Sequence, residues 1–268
     1  MLFKKYVFGL LFPISENYST MIKQIIAPLL MAFLPYNLLA QKSIETEPNF
    51  TEGYVIYELK SNGKSELSEF FRETTLTLYI KDGKSKLDLK IMGGFAEMQL
   101  VVNQKNEKNV VLLNIPMLSE KVNIPINGTD LTTGQTVNEN INQMPFKPGQ
   151  IEYFYKDRTT IAGKKCYKAI APVAGYRSKA LLYLSKKFRI NTPEFISKYV
   201  GDLPGLPLYT EMNFSGLKIQ LKAIEIRRTK ISDQVFQVPE GYKSKTFNEL
   251  KKEMADFNGN KKKDDMGL

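Results

Sequence analysis

The alternation of apolar and polar positions is clearest between Thr74 and Val102. Leu76, Leu78 and Ile80 alternate with Thr75, Thr77 and Tyr79. Leu87, Leu89 and Ile91 then alternate with Lys86, Asp88 and Lys90, and Met98, Leu100 and Val102 continue the apolar side. A period of two with one apolar face predicts an antiparallel sheet, half buried and half wet. Asp82-Gly83 is a hairpin signal, because both residues accept the positive φ of a type I′ turn, and Gly93-Gly94 marks the next turn.

The same pattern runs along the rest of the chain. Glu52 to Lys60 predicts a first strand, turned by Ser61-Asn62-Gly63-Lys64. Ser65 to Arg72 fits either a short helix or, through Phe70 and Phe71, an extension of the next strand. Asn109 to Ile115 and Glu120 to Ile126 are short strands, and Pro125 marks the second as an edge or an end. Asn127-Gly128 opens a polar loop, Thr129 to Gln143. Gln150 to Lys156, Cys166 to Val173 and Lys179 to Ser185 are three more strands, around turns at Ala162-Gly163 and Ala174-Gly175. Thr192-Pro193-Glu194 reads as a helix start, with Phe195, Ile196, Tyr199 and Val200 on its apolar face and Gly201 at its end. Pro207 to Asn213 and Leu217 to Arg228 are the last strands, and the change of phase from Leu221 to Ile224 predicts a β-bulge near Ala223. Thr246 and Glu249 form a capping box for a final helix whose stripe is Phe247, Leu250, Met254 and Phe257. The expected fold is mainly β: a single large twisted antiparallel sheet or half-barrel of about eleven strands, with two or three covering helices.

The amino terminus adds a compartment. Met21-Ile22-Lys23 precedes an apolar run, Ile25 to Phe33, that leads to Ala40, the layout of an export signal with Met21 as a candidate start. A membrane anchor is the competing reading, but Pro28, Pro35 and Asn37 interrupt the run, which falls short of the roughly 20 apolar residues a spanning helix needs. The expected organisation is a signal peptide over 1–40, a flexible lead over 41–51, one β-rich domain over 52–257 and a disordered tail over 258–268. The mature chain is then periplasmic or secreted, with no transmembrane span.

Composition narrows the chemistry. The chain has no His, which excludes Ser-His and Cys-His dyads and His-ligated metals. Cys166 is the single cysteine, so no internal disulfide is available, and it reads as a small buried hydrophobe rather than a reactive thiol. Removing residues 1–40 lowers the formal net charge from +10 to +8, with lysines spread over the wet faces of strands. Such a spread in an exported chain points away from nucleic acid. Ser61-Asn62-Gly63-Lys64 and Ser215-Gly216-Leu217-Lys218 match a Ser-x-x-Lys pattern, but one is a turn and the other enters a strand. No P-loop, nucleophile elbow, dinucleotide fingerprint or calcium loop is present, so neither an enzyme nor a cofactor or metal is expected.

Three sequence features then coincide. They are the amino-terminal segment ending in Leu38-Leu39-Ala40-Gln41, the stretch Thr160-Ile161-Ala162-Gly163-Lys164-Lys165-Cys166-Tyr167-Lys168 between two strands, and Leu203-Pro204-Gly205-Leu206-Pro207-Leu208 after a short helix, followed by Phe236-Gln237-Val238-Pro239-Glu240-Gly241-Tyr242. Together they resemble exported envelope proteins of Gram-negative bacteria related to the GLPGLI group, over roughly residues 52–245. That group is similar in fold to the lipoprotein-localisation (LolA-like) carriers, so the resemblance implies a curved sheet around an apolar cavity and no catalytic residues. Leu182 stands where the pattern leads one to expect Trp.

The candidate ligand-binding residues are those of the apolar sheet face: Leu76, Leu78, Ile80, Leu87, Leu89, Ile91, Met98 and Leu100. Each one taken singly also suits an ordinary core. Two functions follow from these readings. One is a periplasmic carrier or sensor for an apolar ligand, a lipid or a lipoprotein acyl chain. The other is an envelope protein–protein interaction module with a filled core.

Overall fold

The computed structural model of the chain describes residues 50–62, 71–103, 109–115, 120–126, 151–172, 179–185, 205–214, 217–246, 248–250 and 252–253. β1 (Glu52–Asn62), β2 (Thr74–Lys81), β3 (Lys84–Ile91), β4 (Ala96–Asn103), β5 (Asn109–Ile115) and β6 (Glu120–Ile126) pair in succession, each antiparallel to the last. β7 (Glu152–Ile161), β8 (Lys164–Pro172), β9 (Lys179–Leu184), β10 (Pro207–Phe214) and β11 (Leu217–Arg227) do the same. β1 pairs antiparallel with β11 and fuses the two runs, and β12 (Tyr242–Ser244) adds to β6 in parallel. The result is one twelve-stranded sheet in the order β12-β6-β5-β4-β3-β2-β1-β11-β10-β9-β8-β7, which does not close.

Turn chemistry sets the hairpins. Asp82 and Gly83 both have positive φ (45° and 82°), as do Ala162 and Gly163 (45° and 74°), the signature of two-residue type I′ connections. The Gly93-Gly94 turn is a 3₁₀ turn, Met92–Gly94, that joins β3 to β4. At the far side the sheet curls. Residues of β7 come within 8 Å of β11, although four strand spacings would hold them about 19 Å apart in a flat sheet.

The register sorts residues onto two faces. From β5 through β4, β3, β2, β1, β11 and β10 to β9, the inner face is uncharged, and apart from Ser61, Thr74, Ser85, Asn109 and Thr210 it is apolar. Buried side chains of β1–β4 and β8–β11 make one contiguous core on this face, to which Phe50 and Phe71 also belong. The curl is toward it: Tyr57 of β1 lies close enough to Cys166 of β8 for the two groups to interact electrostatically.

The carboxyl segment wraps the opposite end of the sheet. Ile231 N donates to Glu52 Oε1 (2.8 Å), Lys81 Nζ donates to Ile231 O (2.8 Å), and Asp233 is held by Lys84 (2.8 Å) and Lys81 (3.2 Å). A 3₁₀ turn, Asp233–Phe236, follows and lies against β3 and β4. Val101 and Leu112 point to this outer face and are almost fully buried there. The chain then runs along the β6 edge as β12 and turns at Thr246. There Thr246 N donates to Glu249 Oε2 (2.6 Å) and Glu249 N donates to Thr246 Oγ1 (3.2 Å), a reciprocal capping box. Residues 248–250 and 252–253 are helical, and Leu250 packs on Val122 and Ile124 of the inner face. This segment therefore clasps an edge and touches both faces.

Most expected strands stand where the alternation puts them, with four differences. The sheet has twelve strands rather than about eleven, and it is mixed rather than wholly antiparallel, because β12 is a three-residue parallel addition with no alternation of its own. Helix is scarcer than expected among the described residues: two 3₁₀ turns and the short stretch after Thr246. Phe71 lies in a turn rather than extending β2. β7 runs on to Ile161, past a bulge over Tyr155, Lys156 and Asp157 where its register against β8 shifts. The bulge near Ala223 is as expected, with Ile224 as the extra residue between the Ile56–Glu225 and Tyr57–Ala223 pairs. The Thr192 helix, the loop 129–143, the residues before Phe50, Met254, Phe257 and the 258–268 tail lie outside the described residues, as does most of 65–72.

Gly53 lies next to the first β1–β11 pair, where the backbone passes close to Arg227. Its φ is +143°, and a Cβ there would lie 2.1 Å from Arg227 O and 2.6 Å from the Phe50 ring. Gly53→Ala is expected to lower stability by about 2–5 kcal/mol through strain and overpacking, read as a drop in the urea midpoint.

Candidate functional site

The eight candidate residues come together. Leu78 pairs across to Leu87, Leu76 to Leu89, Leu87 to Leu100, and Leu89 to Met98, which makes a patch three strands wide. Ile80 and Ile91 extend it toward opposite ends, and all eight belong to the inner core. Leu78 and Leu89 are 1% and 2% exposed, so the patch is covered.

Sequence reasoning misses the other half of this surface. Tyr57 and Leu59 of β1, Leu221 and Ala223 of β11, Leu208 and Met212 of β10, and Leu182 of β9 line the same face. The alternation of Val55, Tyr57 and Leu59 carries a signal for β1, but nothing local says that β11 lies beside it. Tyr57 and Tyr167 are large polar side chains buried in this core, and the Tyr57 hydroxyl donates to Pro207 O (3.1 Å). Burial, with the Cys166 thiol nearby as a lesser cause, pushes the Tyr57 hydroxyl far above its ordinary value, so it stays a neutral donor. The Pro-Gly stretch that joins β9 to β10 is described from Gly205. Leu206 and Leu208 are buried, and Leu206 O accepts from Ser185 N (3.4 Å), so this part of the motif is built into the core as a crossing between strands.

Cys166 is buried and free of disulfide, and burial pushes its thiol up to about 11. Of the two Ser-x-x-Lys matches, Ser61 lies at the end of β1 and Lys218 pairs with Glu211 (2.7 Å), while Gly63, Lys64, Ser215 and Gly216 lie outside the described residues. Among the described residues no group of three or more His, Cys, Asp or Glu could hold a metal ion, and no helix is long and apolar enough to cross a membrane.

The outer face holds a buried lysine and its polar neighbours. Lys86 is 8% exposed and Gln99 9%, against the expectation that lysines here lie on a wet face. Asp88 sits opposite Gln99, which hydrogen-bonds to it, and Asp88 Oδ1 and Gln99 Oε1 are buried without a partner among the described residues. Burial raises the Asp88 carboxyl above its usual range. Lys86, Lys90 and the Gln99 hydrogen bond pull it back only in part, and Glu97 adds to the rise. Burial likewise lowers Lys86, more than Asp88 and Glu97 restore it. Both charges are thus less well solvated than in water, with incomplete mutual compensation.

No family model matches the chain, and no curated protein matches it. Among solved structures it is similar to a chain of the Pseudomonas aeruginosa MucA/MucB complex, at 12% identity and a TM-score of 0.41 over 72% of this chain, which spans 57% of that one. It is also similar to an uncharacterised conserved protein from Thermus thermophilus (11% identity, TM-score 0.41, 74% of this chain and 92% of that one). A third likeness is to a putative outer membrane lipoprotein-sorting protein domain from Vibrio parahaemolyticus (11% identity, TM-score 0.32, 71% and 91%).

Two outcomes follow from this chemistry. Cys166 should resist a thiol reagent such as DTNB at about pH 8 in the native protein and react fully once urea unfolds it, since the thiolate is the nucleophile. Asp88 binds its proton more tightly folded than unfolded. Its contribution is therefore most favourable below the unfolded carboxylate range and is lost as pH rises through the folded value. Asp88→Asn should accordingly raise the urea midpoint at pH 7, and the gain should vanish near about pH 3.

Proposed function

We propose that the protein is a non-catalytic exported protein, related to the GLPGLI group, that holds an apolar ligand against the inner face of its sheet in the periplasm. The ligand class is a lipid or lipoprotein acyl chain, and the role is that of a carrier or sensor. One observation carries this reading: the inner face stays uncharged across eight consecutive strands of a sheet that curls without closing. A curled, open sheet with one apolar side can part from its covering elements and accept an acyl chain in their place. Each methylene transferred from water contributes about 0.8 kcal/mol, so a chain of a dozen carbons needs no polar handle to be held firmly. The hydroxyl of the deeply buried Tyr57 is already engaged by Pro207 O, so this polar group at the middle of the face has its partner within the chain.

The experiment is native mass spectrometry with organic extraction, on protein exported to the periplasm and beginning at Lys42. Lipid is expected at about one per chain, and Leu78→Phe or Leu89→Phe, which fill the inner face, should abolish it while circular dichroism stays native. A clean apo mass under gentle conditions would reject the acyl-ligand reading in favour of a filled core.

A further inference from the structure

Glu120, the first residue of β6, faces two lysines of the carboxyl segment. Lys243 Nζ lies 2.9 Å from Glu120 Oε2, while Lys245 Nζ is paired with Glu120 Oε1 and also with Glu253 (2.6 Å). The side chains of Lys245 and Glu120 are 14% and 22% exposed, so this pairing is sheltered from solvent. Tyr242, Lys243 and Ser244 lie in parallel register beside Lys121, Val122 and Asn123, and Lys245 N donates to Asn123 O (2.9 Å). Lys121 Nζ sits over the Tyr242 ring, 5.8 Å from its centre, and Leu250 covers Val122 and Ile124.

This is the way a peptide docks on a sheet by strand addition: a main-chain ladder for affinity, with side-chain contacts on either side for specificity. It differs from the other pairings in the sheet. Among the described residues it is the one parallel pair, it is three residues long, and its side-chain contacts are mainly ionic. We propose that the outer edge of β6, with Glu120 at its start and Val122 and Ile124 beside it, is a docking site for an extended basic peptide of Lys-x-Lys type with an apolar residue a few positions on, and that residues 242–245 with Leu250 fill this site in cis. The present occupant defines the chemistry of the partner, because it shows which charges Glu120 selects and where the apolar anchor falls. A tethered occupant competes at an effective concentration in the millimolar range, so a partner gains entry only when it matches the site better or is itself held nearby. The inference is independent of the acyl-ligand reading, since it concerns the edge and not the inner face.

The test uses the full chain and a fluorescein-labelled peptide with the sequence of residues 240–253, read by fluorescence anisotropy. Lys243→Glu with Lys245→Glu sets two acids against Glu120 and opens the cis segment. This variant should bind the peptide at least about tenfold more tightly than the wild type does, and hydrogen exchange at the β6 amides should rise on opening and fall again when peptide is added. Adding Glu120→Lys to the opened chain sets a base against the two new acids of the cis segment, so it should close the site again: binding of that peptide should be lost and the β6 amides should return to slow exchange. An opened variant with native circular dichroism and no gain in peptide affinity would overturn the proposal. So would cooperative unfolding of the opened variant, which would make residues 242–245 an inseparable part of the fold.

Discussion

The structure depends on the pairing of β1 with β11. Each run of successive strands can form from local hairpins, but neither alone encloses a core of this size. Their fusion along Tyr54–Arg227 to Asn62–Lys218 makes one inner face of two. The pairing is close enough at Gly53 to exclude any side chain, and it takes up the extra residue Ile224 as a bulge. A bulge increases local twist, and here it sits at the junction between the two halves.

That junction explains how burial is distributed. With the inner faces joined, Leu76 to Leu100 on one side and Leu182 to Leu221 on the other belong to one buried core, and Tyr57 stands between them with its hydroxyl on Pro207 O. The outer face is polar on β3 and β4, and the carboxyl segment crosses it, shielding Lys86, Asp88 and Gln99 at some electrostatic cost. The two edges are handled differently. β12 covers β6, whereas β7 carries a three-residue bulge with exposed Tyr155, Lys156 and Asp157, an irregular edge poorly suited to pairing with another chain.

Local chemistry is legible in the sequence, and long-range chemistry is not. The β2–β4 alternation, the Asp82-Gly83 and Ala162-Gly163 turns, the Ile224 phase change and the Thr246–Glu249 box are all set by neighbours within a few residues, and each stands as expected. β12 is invisible because three residues carry no period and its partner lies more than a hundred residues away. The burial of Lys86 escapes for a related reason: alternation places it on the outer face correctly, but says nothing of a distant segment that crosses that face. The eight candidate residues emerge as a set because they occupy three adjacent hairpin strands, while their counterparts on β9, β10 and β11 become neighbours only through the β1–β11 seam. Whether that face admits a ligand depends on what covers it, a tertiary property with no local signature.

The seam also orders events in time. A chain that emerges amino terminus first pairs β1 with β2 at once, but the other side of β1 waits for β11, near the end of the domain. Through most of emergence β1 is an open edge beside a growing apolar face, the arrangement most prone to pair with another chain. Closing so long a loop delays this contact further, and topologies that rely on such contacts fold slowly. A half-emerged molecule is thus a half-sheet in need of shelter, and its last strands convert a sticky intermediate into a finished protein.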